Sequence, residues 1–152
     1  MPILNYTTQI AADRTLMEIS RILTQHGATA ILTEFDGEGE VAALSFRVRV
    51  GDREVAFRLP ADWRPILMLL ERDRKVPSKS KVKAQAIRVA WRIIKDWVEA
   101  QMALIETQMV TMEQVFLPYA LADDGQTVYE HLRTHQLALP ANMPPLLGTM
   151  HE

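Results

Sequence analysis

Apolar residues recur along the chain with two different periods, and the switches between them divide it into elements. In "DRTLMEISRILTQHG", residues 13–27, Leu16, Ile19, Ile22 and Leu23 follow the three- and four-residue steps of one helix face. Thr15 and Glu18 have the spacing of a capping box, Asp13 is a second candidate cap, and Gly27 supplies a stop. Before this helix, "ILNYTTQI" (3–10) is rich in β-branched and aromatic residues and predicts a first strand. After it come a second strand over roughly 29–35, the turn-rich "DGEGE" (36–40), and a third strand from Val41.

In "LSFRVRVGDREVAFRL" the period becomes two. Gly51-Asp52 suits the centre of a two-residue turn, with the glycine supplying the positive φ of type II′. Counting outward from that turn pairs Val48 with Val55, Phe46 with Phe57, and Leu44 with Leu59. The opposite face then pairs Arg49 with Glu54, Arg47 with Ala56, and Ser45 with Arg58. One face of the hairpin is apolar, and the other carries three arginines.

Asp62 is placed to cap a short helix, "WRPILMLLERD", whose Pro65 falls in the first turn, where its missing N–H is tolerated. "KVPSKSK" interrupts it, and a long helix is expected from Ser80 or Lys81 to about Val110. Thr111 with Gln114 and Thr127 with Glu130 repeat the capping-box spacing, so two short helical segments should follow, the first limited by Pro118. Residues 140–152 contain three prolines and predict an irregular tail.

The order β-α-β-β-β-α-α-α predicts an α+β fold: a mostly antiparallel, four-stranded sheet covered by helices, in one domain spanning residues 1–139. In the long helix, Ile87, Trp91, Ile94, Val98 and Ile105 form an apolar stripe widened by Val89, Ile93, Trp97 and Leu104. That arc exceeds what one sheet face needs. It implies either a central helix contacted on two sides or a subunit interface, and a homo-oligomer is expected.

At 152 residues and 48% apolar content, the chain can bury a full core. It has no cysteine, which excludes disulfides and thiolate metal sites. The N-terminus lacks a signal-peptide pattern, and no stretch approaches the ~18 uncharged apolar residues of a membrane span. A cytoplasmic, soluble protein is expected. Charge changes the picture more. The formal net charge is -2, yet residues 71–95 hold nine of the seventeen basic residues against Glu71 and Asp73, so this window is +7 and the remainder -9.

Within that window Lys79, Lys81 and Lys83 precede the long helix, and Arg88, Arg92, Lys95 and Glu99 form a polar ridge along it. A helix start already carries partial positive charge and free N–H groups. Three lysines there oppose helix stability but suit a docked phosphate. If Arg47, Arg49 and Arg58 of the hairpin converge with them, the result is one positive surface on an acidic body, as a nucleic-acid ligand requires. Trp63 and Trp91 are candidate stacking platforms for bases, although at helical spacing beside Ile and Val such residues more often belong to a core.

Other chemistry is poorly provided for. His131 and His135 have the spacing of a zinc-binding helix but lack the intervening glutamate and a third ligand, so no metal or cofactor is expected. Asp36, Glu38 and Glu40 do not have the spacing of a calcium loop. There is no nucleophile elbow and no phosphate-cradling glycine motif, and nothing argues for an enzyme.

The segment "RVAWRIIKDWVEAQMALIETQMVTMEQVFLPYAL" (88–121) resembles a group of uncharacterised small proteins carried by bacteriophages, prophages and other bacterial mobile elements. The likeness is looser across "GATAILTEFDGEGEVAALSFRVRV". No chemistry attaches to the motif, so it carries over no site residue. It implies a phage accessory setting, in which handling nucleic acid or disarming host defences is common. The expectation is a non-enzymatic protein that binds single-stranded nucleic acid through Lys79, Lys81, Lys83, Arg88 and Arg92, with Arg47, Arg49 and Arg58 extending the track. Two alternatives stand beside it: sequestering a small nucleotide immune signal, and direct contact with a host defence protein.

Overall fold

Three strands and five helices make up residues 2–135, the part of the chain that the computed structural model describes. The order is α1 (Ala12–Gln25), β1 (Ala28–Phe35), β2 (Val41–Val50), β3 (Arg53–Arg58), α2 (Trp63–Arg72), α3 (Lys83–Glu106), α4 (Met112–Phe116) and α5 (Val128–Thr134). Single 3₁₀ turns stand at Ser78–Ser80 and Leu117–Tyr119. The fold is α+β, and its sheet is an antiparallel meander in the order β1-β2-β3. The tail expected at 140–152 lies outside the described residues.

The sheet has three strands where four are expected, because residues 3–8 form two successive turns. Tyr6 N–H donates to the Ile3 carbonyl (3.2 Å) and Thr8 N–H to that of Asn5 (3.0 Å). Asn5 sits at φ 64°, a left-handed conformation that asparagine tolerates better than β-branched residues do. Its side chain donates to Asp96 of α3 at 2.8 Å, so tertiary contacts override the strand propensity of the neighbouring residues.

The hairpin matches the register expected from its alternation, from Ser45–Arg58 through Phe46–Phe57 and Val48–Val55 to Arg49–Glu54, and just past the ladder Leu59 N–H donates to the Leu44 carbonyl at 2.9 Å. Gly51 has φ 63° while Asp52 has no positive φ, the signature of a type II′ turn. Phe46 and Phe57 stack with ring centroids 5.3 Å apart, and Phe116 meets Phe46 edge-on at 5.5 Å. These rings join Leu16, Ile19 and Leu23 of α1 and Ile87, Trp91 and Val98 of α3 in one core. Past the outer edge of β3, Leu121 N–H donates to the Ala56 carbonyl at 2.8 Å, which covers part of that edge.

Several helix ends follow local chemistry, although α1 and α3 start without a side-chain cap. Asp62 caps α2 by accepting from Arg64 N–H, and both capping boxes, Thr111–Gln114 and Thr127–Glu130, form in full. Gly27, at φ 98°, follows α1 as expected. Thr15 is not a cap. Helix α1 starts three residues earlier, at Ala12 after Ala11, and Thr15 is buried within its first turn.

Most of the wide apolar arc of α3 is used within the chain. One side meets α1 and the sheet. Another meets a smaller cluster in which Leu70 of α2, Val76 and Ala86 pack with Ile3, Tyr6 and Trp63. Trp97 packs edge-on against Phe116 and Tyr119. The central-helix explanation therefore accounts for most of the arc, while Ile93 and Leu104 are half-buried and belong to neither cluster.

Candidate functional site

The segment between α2 and α3 turns sharply, which brings a lysine and an arginine to one recess. Pro77 precedes the 3₁₀ turn, whose Ser80 N–H donates to the Pro77 carbonyl at 2.9 Å and holds Lys79 on the surface. Val82 then starts α3 without any side-chain cap. Arg88 lies further along α3, half-buried, and across from it run the turns of residues 5–8.

Gln85 joins these parts. It is buried, and its amide nitrogen donates to the carbonyls of Tyr6 and Thr8, each at 2.9 Å. Its carbonyl oxygen accepts from Arg88 Nε at 3.0 Å and from one terminal guanidinium nitrogen at 2.7 Å. The two carbonyls demand the donor end and the guanidinium demands the acceptor end, so the amide has one possible orientation. Its hydrogen-bonding capacity is filled. The remaining guanidinium N–H groups have no protein acceptor among the described residues. Together Tyr6, Thr8, Lys79, Ser80, Gln85 and Arg88 border an open cleft of about 560 Å³. No ion pair to Lys79 or Arg88 is present among the described residues.

The other expected ligand residues lie in different settings. Lys83 donates to Glu38 (2.5 Å), lies 3.7 Å from Asp36, and sits 5.1 Å above the Trp63 ring. The bond to Glu38 raises the Lys83 pKa above its ordinary value. Asp36 is held below the usual carboxylate value, first by the N–H groups of Glu38 and Glu40 and then by the Lys83 charge. Lys81 donates to the Glu71 carbonyl at 3.2 Å. Arg92 pairs with Glu18 of α1 and reaches the Thr15 hydroxyl at 3.5 Å.

The hairpin arginines do not join this group. Alternation turns them away from Phe46 and Phe57, onto the sheet face opposite α3. There Arg47 pairs with Glu54 at 2.9 Å, and Arg49 donates to the Gly51 carbonyl at 3.3 Å. Arg58 lies 3.0 Å from Glu34 Oε2, a charge contact without hydrogen-bond geometry. One continuous positive surface through all eight residues is therefore not formed. Trp91 is enclosed in the core at 2% exposure, which removes it as a stacking platform. Trp63 is half-buried, and Lys83 and Arg64 stand over its ring.

The sequence reading missed Gln85 and Tyr6. One signal was present for Gln85: a lone uncharged polar residue between alanines, three positions before Arg88 and so on the same helix face. Tyr6 was hidden by the assignment of its segment to a strand. On α5, His131 contacts Asp124 at 2.9 Å and stacks on His135. Asp124 is held below the usual carboxylate value, mainly by the Gln126 N–H and then by His131. Comparison with protein-family models, with curated proteins and with solved structures gave no match to this chain.

Proposed function

We propose that this chain is a non-enzymatic binding protein for a phosphate-bearing ligand, single-stranded nucleic acid first. The ligand occupies the cleft between residues 6–9 and the start of α3. Lys79 and Arg88 take phosphate oxygens, Arg88 through the N–H groups that Gln85 leaves unused, and the Tyr6 ring offers a base an aromatic face. One observation carries the reading: a guanidinium fixed by a fully satisfied amide faces an open cleft with a lysine and no carboxylate partner. Holding an arginine in place before its ligand arrives reduces the ordering cost of binding. In this reading Arg47, Arg58, Lys83 and Arg92 belong to ion pairs, and the phosphate contacts narrow to Lys79 and Arg88.

The openness of the cleft favours a strand over a sequestered mononucleotide, which an enclosed pocket would suit better. A second reading, contact with an acidic host protein, draws on Met68 and Leu69 of α2, which are 50% and 47% exposed beside the charged segment. The resemblance to phage and mobile-element proteins fits either. Fluorescence anisotropy with a labelled oligothymidylate at low salt separates them, with adenosine monophosphate as competitor. Saturable binding of the strand that the mononucleotide displaces only weakly supports the proposal. Absence of any binding at low salt overturns it.

A further inference from the structure

A second basic cleft lies on the other side of the N-terminal turn, and its two arginines belong to none of the groups described above. It encloses about 530 Å³ between Ile3, Leu69, Arg72, Asp73 and Arg74. Arg72 and Arg74 are exposed, and neither forms an ion pair among the described residues. The one acid in the cleft, Asp73, accepts from Lys75 N–H at 2.8 Å. An arginine at the end of α2 also complements the helix dipole, which is a sufficient reason for Arg72 alone. It does not explain Arg74, which lies past the helix end, beside an open recess.

The two clefts are neighbours. Ile3 borders one and Tyr6 the other, and the turn joining them brings their Cα atoms within about 7 Å. Residues 2–12 contain no charged side chain, so nothing on the ridge between the clefts repels a phosphate chain. Leu4, at the ridge, is 62% exposed, and Leu69 presents an apolar wall beside Arg72. Residues 73–79 run from one cleft to the other and add Lys75 along the way. Four cations without ion-pair partners thus flank an uncharged ridge, two on each side.

We propose that Arg72 and Arg74 form a second phosphate subsite, so that the ligand is a single strand of at least two nucleotides crossing the Ile3–Tyr6 turn. This rests on the reading of the Lys79–Arg88 cleft as a phosphate site and extends it to a strand. The test compares wild type with R72Q/R74Q against adenosine monophosphate and oligothymidylates of increasing length. Wild-type affinity should rise at least tenfold from the mononucleotide to a short oligomer. The variant should lose most of that gain, with the salt slope for the oligomer flattened by about 1.4 units, two phosphate contacts at ~0.7 each. Its affinity for the mononucleotide should stay within twofold. If the variant keeps the full gain with length, the second subsite is wrong and the first cleft stands alone. If wild type binds none of these ligands, both assignments fail together. Unchanged far-ultraviolet circular dichroism, expected for two exposed residues, excludes unfolding as the cause of any loss.

Discussion

The Gln85 amide holds the Arg88 guanidinium through two hydrogen bonds, at 3.0 and 2.7 Å, while its other end ties down the carbonyls of Tyr6 and Thr8. One side chain therefore fixes both walls of the cleft. Gln85→Leu leaves two carbonyls and a guanidinium short of partners, and each buried polar group so stranded costs about 1–3 kcal/mol. Urea denaturation should show a loss of at least that size, and strand affinity should fall with it, because Arg88 is no longer held.

Arg88 and Arg92 lie one helical turn apart but should separate cleanly by phenotype. Arg92 has a side chain only 14% exposed and pairs with Glu18 across the α1–α3 contact. Arg92→Gln should cost about 1.5–3 kcal/mol, the range for hydrogen bonds to charged groups, and leave ligand affinity nearly unchanged. Arg88→Gln strips the buried Gln85 carbonyl oxygen of both its donors, so it should also cost about 1–3 kcal/mol, but unlike Arg92→Gln it should sharply weaken ligand binding. Paired urea and anisotropy measurements on the two variants decide it. Unchanged ligand affinity for Arg88→Gln would mean that Arg88 is a structural residue only.

The hairpin core makes a sharper stability prediction. Phe46 and Phe57 are each 1% exposed, and both contact Phe116. Either one changed to Ala should cost about 3–5 kcal/mol, because the cavity cannot close around a three-ring cluster. Arg49→Ala, on the exposed face, should stay within about 0.5 kcal/mol. Chemical denaturation of the three variants checks both values.

The N–H groups of Glu38 and Glu40, and after them the Lys83 charge, give Asp36 a pH dependence with a definite sign. The folded state holds the Asp36 carboxyl below its ordinary 3.8. A depressed carboxyl contributes stability that is complete above that value and lost as pH falls through the lowered one. The melting temperatures of wild type and Asp36→Ala should therefore differ at neutral pH and converge below 3.8. Lys83 behaves oppositely: its raised value contributes below 10.5, and the contribution disappears as pH rises past the folded value. A gap that stayed constant through the acid range would remove Asp36 from the account.

Short-range patterns were legible in the sequence because local chemistry settles them. The Gly51 turn and the alternation around Phe46 and Phe57 settle a register that the paired residues 45–50 and 53–58 follow, and two of the three Thr capping-box spacings form boxes, while Thr15–Glu18 falls inside α1. Long-range placement was not legible. No spacing within "SKSKVK" reveals that Lys83 meets Glu38, forty-five positions away, or that Arg92 meets Glu18 at a distance of seventy-four. The expected first strand failed for the same reason. The carbonyls of Tyr6 and Thr8 find Gln85, seventy-nine and seventy-seven residues on, so the segment needs no neighbouring strand. Charge clustering in sequence marks a region, and the fold selects which of its charges lack an ion-pair partner among the described residues.

The salt dependence of strand binding tests the central claim most directly. Affinity for a short oligothymidylate should be measured across a range of salt concentrations for wild type and for Lys79→Gln/Arg88→Gln, with urea midpoints recorded for both. Each phosphate contact contributes a slope of about -0.7 on single strands, so losing two should flatten the dependence by roughly 1.4 units. The account predicts that flattening and weaker binding at every salt concentration, with urea stability lowered by about 1–3 kcal/mol as the buried Gln85 oxygen loses its donors. Equal slopes and affinities for the two proteins would contradict it, and would leave Lys79 and Arg88 as solvated surface charges.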